Sequence, residues 1–186
     1  MQRLRVVDTP ITGVRVVERE PLADTRGFLS RVFCAGELLA AGWAKAIAQI
    51  NHTQTAHSGT VRGLHFQQVP DTDMKLVSCL RGAVWDVAVD LRPQSSTYLQ
   101  WYGCELSAGN HRALLIPEGC AHGFQCLEDD TELLYCHSAA YAPQSDAGLH
   151  PQDPQLAIAW PLPVTLLSAR DAALPVLQVW TQGTRA

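Results

Sequence analysis

The chain has 186 residues, a length that suits one domain able to bury about 70% of its unfolded surface. Its 14 basic and 18 acidic residues give a formal net charge of -4, which argues against a nucleic-acid partner, because nucleic-acid binders carry basic stripes. No apolar run approaches the roughly 18 to 20 residues that span a bilayer, and no apolar segment follows MQRLRVVDTP (1–10). We therefore expect a cytoplasmic protein with no membrane partner.

Glycine and proline are spread along the whole chain, which favours many short elements over long helices. In chain order, the first predicted element is a short helix over 35–42. Strands are predicted over 82–91, 112–117 and 123–129, with the second and third as a pair around a Pro-Glu-Gly turn. Residues 132–143 predict one more strand and an exit loop that Pro143 closes. A second short helix is predicted over 168–175. Many short strands with turns between them predict an all-β sandwich or barrel of jelly-roll type.

The six cysteines do not form a recognisable framework, because no Cys-x-x-Cys pair occurs. Cysteines in apolar stretches are usually small buried hydrophobic side chains. We expect this of all six, which are Cys34, Cys79, Cys104, Cys120, Cys126 and Cys136.

Polar side chains with possible chemistry interrupt three otherwise apolar regions. Residues 49–67 contain His65, Lys75 precedes a strand, and the region 117–136 contains His122 and Tyr135. Each has an ordinary alternative: a half-exposed strand histidine, a solvated lysine, or a strand aromatic residue whose hydroxyl finds a partner.

A metal site is the first possibility to test, because PEGCAH (117–122) is half of the metal-binding pattern of cupins. The other half is His-x-His followed by a glutamate, and here the corresponding residues are His65-Phe66-Gln67. A divalent metal on such a site requires three or four nitrogen or oxygen ligands, and His65 with His122 supplies two. We predict no metal and no other cofactor.

Without a metal, a base, a cation and a phenol suggest proton transfer beside a carbonyl group. Histidine titrates near neutrality and can accept a carbon-bound proton. A lysine ammonium close to the carbonyl oxygen stabilises the enolate. A tyrosine on the opposite face returns a proton and inverts the stereocentre.

Several stretches, in order and over nearly the whole chain, resemble the dTDP-4-dehydrorhamnose 3,5-epimerase family. They are DTRGFLSRVF (24–33), QINHTQTAHSGTVRGLHFQ (49–67), KLVSCLRGAVWDVAVDLR (75–92), ELSAGNHRALLIPEGCAHGF (105–124), ELLYC (132–136), and DPQLAIAWP (153–161) leading to LSARD (167–171). The resemblance implies one cupin-type jelly-roll (double-stranded β-helix) domain over 1–186, with a few short flanking helices. It also implies a homodimer in which part of 1–18 crosses to the partner.

The resemblance further implies metal-free epimerisation of a nucleotide-diphosphate 4-keto-6-deoxyhexose at C3, C5 or both. His65 matches the base, Asp171 its partner, Lys75 the lysine near the carbonyl, and Tyr135 the general acid. The matching substrate-binding residues are Arg26 and Arg62 at the diphosphate, with Gln49, Asn51, His122, Tyr141 and Arg170 around the same pocket. For Asp171, Ser168-x-x-Asp171 also fits a helix cap, although Glu or Gln is the usual partner at that position.

Three departures from the family pattern lead us to expect that another nucleotide or a branched sugar competes with dTDP-4-keto-6-deoxyglucose. Arg31 stands where the family usually has glutamate, Ile50 replaces an aspartate, and a tyrosine pair is reduced to Ala140-Tyr141. Two alternatives stay open: an epimerase that inverts only C3 or only C5, and a non-catalytic cupin that binds a nucleotide sugar.

Overall fold

A computed structural model of the chain describes residues 2–178. Within that range, nearly all regular structure is β. The strands are β1 (Leu4–Asp8), β2 (Arg15–Arg19), β3 (Leu22–Asp24), β4 (Gly27–Leu29), β5 (Gln49–Thr55), β6 (Val61–Gln67), β7 (Lys75–Arg81), β8 (Ala83–Asp90), β9 (Trp101–Ser107), β10 (Arg112–Ile116), β11 (Cys120–Cys126), β12 (Thr131–His137) and β13 (Asp146–Gly148). The α-helices that lie wholly within the described residues are α1 (Ala35–Leu38) and α2 (Ala169–Ala172), of one turn each.

The strands form two antiparallel sheets and a separate hairpin. A six-stranded sheet has the order β1-β2-β10-β7-β12-β5, and a five-stranded sheet has the order β13-β6-β11-β8-β9. β3 and β4 pair only with each other in the described chain. The predicted all-β jelly roll with a few short helices is confirmed. In this arrangement β1 is an edge strand that pairs with β2 of its own chain.

The core lies between the two sheets because successive side chains of a strand point to opposite faces. Val77 and Leu114 of the six-stranded sheet pack with Val84 and Phe124 of the five-stranded sheet. Fully burying one such side chain contributes about 1.5 to 3 kcal/mol of stability. The inner faces of the two sheets therefore hold the fold together.

The outer faces are covered as well, which explains why several strands are apolar on both sides. On the six-stranded sheet, Leu76 and Leu115 pack with Leu38 of α1 and with Trp43. On the five-stranded sheet, β8 contributes Val87 and Val89 to a cluster with Leu149, Leu156 and other side chains. Val84 and Ala88 of β8 face the inner core, so this strand reads as a nearly continuous valine-rich run.

The predicted elements occur with one correction in pairing. The strands predicted over 112–117 and 123–129 exist as β10 and β11, but they do not pair with each other. β10 pairs with β2 and β7, whereas β11 pairs with β6 and β8. The Pro-Glu-Gly turn therefore connects the two sheets.

Both predicted helices are present but shorter than predicted. α1 continues as a 3-10 turn over Leu39–Ala41 and ends at Gly42, whose φ of 93° is favourable for glycine. α2 begins after Ser168, whose side chain accepts a hydrogen bond from the Asp171 N–H. No described helix has the length and apolar character that crossing a membrane requires.

The described cysteines are free thiols, and five of the six are buried as predicted. Cys34 is half-buried. Burial raises the pKa of Cys104 and of Cys120 to about 12. These thiols are protonated at neutral pH, and their side chains pack in the hydrophobic core.

Candidate active site

A cavity of about 260 Å³ opens between the two sheets and is lined by residues of both. The structure brings together here nine of the site residues predicted from the sequence. They are Gln49, Asn51, Arg62, His65, Lys75, His122, Tyr135, Tyr141 and Arg170. A tenth, Asp171, lies directly behind His65.

His65 lies on β6 in the wall that the five-stranded sheet contributes to this cavity. Its Nε2 is 2.7 Å from Oδ1 of Asp171. Because a carboxylate only accepts hydrogen bonds, Nε2 carries a proton and donates it to Asp171. In neutral His65 the lone pair is therefore on Nδ1, and the side chain is 32% exposed at the cavity. This arrangement is that of an oriented imidazole base.

Close approach of two backbones places Asp171 behind His65. Gly63 on β6 has a φ of 130°, and a Cβ there would lie 2.5 Å from the Cα of Gly123 on β11. Only glycine fits this contact. The Gly63 N–H donates to Oδ2 of Asp171 at 3.2 Å, so this carboxylate is held through both oxygens.

Asp171 belongs to the helix cap and to the site at the same time. Its N–H donates to Oγ of Ser168 at 3.0 Å, while its carboxylate reaches His65. Burial alone would raise the pKa of Asp171, but the hydrogen bonds from His65 and Gly63 and the charge of Arg170 lower it overall. The carboxylate is therefore ionised at neutral pH.

Lys75 begins β7 and is 7% exposed, so the alternative of a solvated lysine is wrong. Its Nζ donates to the backbone carbonyl of His65 at 3.1 Å and lies 3.8 Å from Oδ1 of Asp73. Burial lowers the pKa of Lys75, and the Asp73 carboxylate opposes that shift. The cavity wall thus holds a buried lysine side chain next to the His65 strand.

Tyr135 lies on β12, in the wall opposite His65, and its side chain packs edge-on against His122 with ring centroids 5.8 Å apart. Burial raises the pKa of Tyr135 well above its ordinary value. Its phenol is therefore protonated at neutral pH and is a hydrogen donor in the cavity.

His122 lies on β11 opposite His65 in the strand register. Its Nε2 is 2.8 Å from Oδ1 of the fully buried Asp86. In both His65 and His122, Nε2 is therefore hydrogen-bonded to a carboxylate.

The cavity mouth is polar and internally hydrogen-bonded. Gln49 donates to Oδ1 of Asn51 at 2.9 Å and accepts from the Tyr141 N–H at 3.0 Å. Arg170 contacts Oδ2 of Asp146 at 2.6 Å, and the Tyr141 hydroxyl donates to the same oxygen at 3.1 Å. These contacts orient amide, phenol and guanidinium groups around the opening.

Arg26, which the resemblance places at the diphosphate, does not line this cavity, and neither do Arg31 and Ile50, two of the departures from the family pattern. Arg26 is on the exposed β3–β4 hairpin and pairs with Asp24. Arg31 pairs with Glu37, and Ile50 is 57% exposed. Ile50 points away because it alternates on β5 with the cavity-lining Gln49 and Asn51.

His137, Asp73 and Asp146 line the cavity and were missed in the sequence analysis. His137 had a usable signal, because it lies two residues after Tyr135 on the same strand and so shares its face. Asp73 and Asp146 gave no such signal, since a loop and a distant short strand bring them to the site.

Within residues 2–178, no group of three or more His, Cys, Asp or Glu side chains is arranged to hold a metal ion. The groups gathered at the cavity are instead an imidazole oriented by a carboxylate, a buried lysine amine and a protonated phenol. Such a set can remove a proton, stabilise an oxyanion and deliver a proton from the other side.

Comparisons with known proteins find relatives over most of the chain. The family model described as dTDP-4-dehydrorhamnose 3,5-epimerase matches residues 8–179. The dTDP-4-dehydrorhamnose 3,5-epimerase of Sinorhizobium fredii is 41% identical over 168 residues, which cover 90% of this chain and 86% of that protein. The dTDP-4-dehydrorhamnose 3-epimerase of Streptomyces niveus is 42% identical over 169 residues, with 90% and 81% covered.

A solved structure gives the same result for the fold. The crystal structure of a Bacillus anthracis dTDP-4-dehydrorhamnose 3,5-epimerase, with TDP and PPi bound, superposes with a TM-score of 0.90. It is 40% identical in sequence, and the match covers 94% of this chain and 99% of that one. The chain belongs to the dTDP-4-dehydrorhamnose 3,5-epimerase family.

Proposed function

We propose that the protein epimerises a nucleotide-diphosphate 4-keto-6-deoxyhexose at C3 and C5, without a metal, in deoxysugar biosynthesis. Both carbons flank the C4 ketone, so a proton on either is acidified by the same carbonyl group. A single base can serve both positions when the sugar ring shifts between the two steps.

Four side chains take part in the inversion of each carbon. Nδ1 of His65 removes the proton from carbon, and the ionised Asp171 stabilises the imidazolium that forms. The carbon electron pair moves into the C4 carbonyl, and the Lys75 ammonium stabilises the resulting enolate oxygen. Tyr135 then protonates the opposite face of the same carbon, which inverts it, and proton exchange with solvent restores His65 and Tyr135 before the next step.

The observation that carries this proposal is the placement of His65 and Tyr135 on opposite sheets around one cavity. Inversion by two residues requires a base and an acid on opposite faces of the substrate carbon. The donor set also favours the metal-free reaction, because Nε2 of His65 and Nε2 of His122 are both hydrogen-bonded to carboxylates.

The polar mouth suits the nucleotide diphosphate. Arg62 and Arg170 supply positive charge for the phosphates, because guanidinium groups bind phosphate oxygens in pairs of hydrogen bonds. Gln49, Asn51 and Tyr141 supply hydrogen bonds at the same opening. His122 contributes to the pocket wall beneath them.

We also propose that residues 1–186 form one domain that acts in the cytoplasm as a homodimer, with part of 1–18 crossing to the partner. β1 is an edge strand, and such edges pair readily with another chain. The adjacent hairpin exposes Phe28 and Leu29 beside Arg26. In the dimer, Arg26 would reach a diphosphate bound in the partner's cavity.

Inversion of C3 alone is the second candidate, and the relative from Streptomyces niveus favours it. That protein is named a 3-epimerase. It is 42% identical to this chain, and the 3,5-epimerase from Sinorhizobium fredii is 41% identical, so sequence identity does not separate the two activities. The two activities differ in whether the proton on C5 exchanges with solvent as well as the proton on C3.

The test is incubation in heavy water with a panel of 4-keto nucleotide sugars, beginning with dTDP-4-keto-6-deoxyglucose. NMR then reports deuterium at C3 and C5 and the configuration of each carbon. We expect deuterium and inversion at both. Deuterium and inversion at one carbon alone would identify a mono-epimerase. Tight binding of the sugars without deuterium at either carbon would refute catalysis and identify a nucleotide-sugar-binding cupin.

A further inference from the structure

A third histidine–aspartate pair, His137 with Asp73, lies in the cavity wall beside Lys75 and has no role in the four-residue mechanism. Lys75 on β7 is the direct cross-strand neighbour of His137 on β12, and His137 is the neighbour of Gln49 on β5. These three side chains form a row across the six-stranded sheet, and all of them line the cavity.

Asp73 connects the histidine to the lysine. One carboxylate oxygen, Oδ2, lies 2.8 Å from Nδ1 of His137, and the other, Oδ1, lies 3.8 Å from Nζ of Lys75. Asp73 is 7% exposed and therefore has little contact with water. The His137 ring and the Lys75 side chain instead stabilise its carboxylate.

The hydrogen bonds of His137 fix which nitrogen carries its proton. The Asn51 side-chain amide lies 3.4 Å from Nε2, and an amide nitrogen can only donate, so Nε2 accepts. Nδ1 then holds the proton and donates it to Asp73. The ring also stacks on Tyr135, with centroids 6.1 Å apart and planes 19° apart, which restrains its rotation.

We propose that Asp73 and His137 are positioning residues for Lys75: His137 orients the Asp73 carboxylate, and that carboxylate keeps the buried Lys75 side chain charged and in place. This inference rests on the proposed function, in which the Lys75 ammonium stabilises the enolate. Neither residue needs to contact the reacting atoms, because both act through the lysine.

The surroundings of Lys75 explain why it needs a close counter-ion. Burial lowers the pKa of Lys75, and among the charges that oppose this shift Asp73 is the strongest. The titratable groups around the ammonium come from several elements and are Asp73, His137, His65, Asp146, Cys120 and Asp86. Asp146 is already paired with Arg170 and Asp86 with His122, so neither can replace Asp73 at full strength.

The lysine content makes a direct test possible, because the chain has only two lysines, Lys45 and Lys75. With lysine labelled by ¹³C at Cε, NMR titration resolves one signal for each. In Asp73→Asn we expect the midpoint of Lys75 to fall by about 1 to 3 pH units, the usual effect of losing a nearby opposite charge. Lys45, which pairs with Glu118 at the surface, is the internal reference and should not move.

Three further variants separate position from packing. Asp71→Asn is the matched control, because Asp71 lies in the same loop but bonds to Ser145 and Gln144 outside the cavity. It should leave the Lys75 midpoint unchanged. His137→Leu should lower that midpoint by less than Asp73→Asn does. His137→Asn, whose amide can donate to Asp73 in place of Nδ1, should restore it.

In turnover, Asp73→Asn should lower kcat about tenfold at neutral pH, which is less than the roughly 10²- to 10⁴-fold loss on removing an acid or base, because Lys75 itself remains. The alkaline limb of its pH profile should move to lower pH with the Lys75 midpoint, while KM stays near the wild-type value. A purely structural role would lower thermal stability and leave the pH profile in place.

The two proposals can fail separately. An unchanged Lys75 midpoint in Asp73→Asn overturns the positioning role even when the wild type epimerises its substrate. An unchanged midpoint in His137→Leu removes His137 from it. The lysine titration needs no substrate, so a shifted midpoint in a protein that epimerises none of the sugars supports the ion pair and refutes the proposed function.

Discussion

Replacing Asp171 by asparagine should impair catalysis through His65 while leaving the shape of the site almost unchanged. The Asp171 carboxylate accepts hydrogen bonds from His65 at 2.7 Å and from the Gly63 N–H at 3.2 Å. Asparagine has a single acceptor oxygen and therefore can satisfy only one of these donors.

Either orientation of the new amide is unfavourable. With Oδ1 at His65, the amide NH₂ faces the Gly63 N–H, donor against donor. With NH₂ at His65, Nε2 must become the acceptor, so the proton moves to Nδ1 and the base loses its lone pair. The second orientation removes the base without removing the ring.

The expected loss follows from the hydrogen bond that disappears. A hydrogen bond to a charged group contributes about 1.5 to 3 kcal/mol. At about 1.4 kcal/mol for each factor of ten, kcat should fall roughly 10- to 100-fold. The loss should appear equally in the rate of solvent deuterium exchange, because both begin with proton removal by His65.

The assay compares exchange and inversion by NMR, with ¹⁵N spectra to identify the His65 tautomer. Ser168→Ala is the matched control, since it removes the cap on the Asp171 N–H and leaves the carboxylate in place. That control should lose about 1 kcal/mol of stability and keep its exchange rate. Asp171→Asn with at least half the wild-type kcat would refute the reasoning.

The other predictions concern the acid, the absence of a metal and the backbone contact. Tyr135→Phe should still exchange the substrate proton with solvent but invert it about 10² to 10⁴ times more slowly, whereas His65→Ala should lose both exchange and inversion. Inversion by Tyr135→Phe at the wild-type rate would point to Tyr141 as the acid. Activity should survive exhaustive dialysis against EDTA; its loss and recovery with one divalent metal would contradict the metal-free reaction. Gly63→Ala should cost about 2 kcal/mol or more in chemical denaturation, because its Cβ would meet the backbone of Gly123 at 2.5 Å.

The architecture and most of the cavity residues were predictable from the sequence, for different reasons. Short apolar strands separated by turns already indicate a jelly roll. The cavity residues were identified by resemblance, because RGLHFQ, IPEGCAHGF and ELLYC are specific motifs. Nine of the residues so identified line one cavity. The alternation of side chains along β12 also predicts that His137 lines the cavity, since it shares the face of Tyr135.

Only the tertiary structure decided which side chains act together. Sequence periodicity gives the face of a residue within its own strand, but not the strand that will face it. The Asp73 loop next to Lys75, the entry of Asp171 behind His65, and the position of Arg26 outside the cavity all depend on how distant segments meet. The sequence therefore determined the strands and the chemical groups available, whereas the packing of two sheets determined the pairs, because contacts between residues 100 positions apart leave no local pattern.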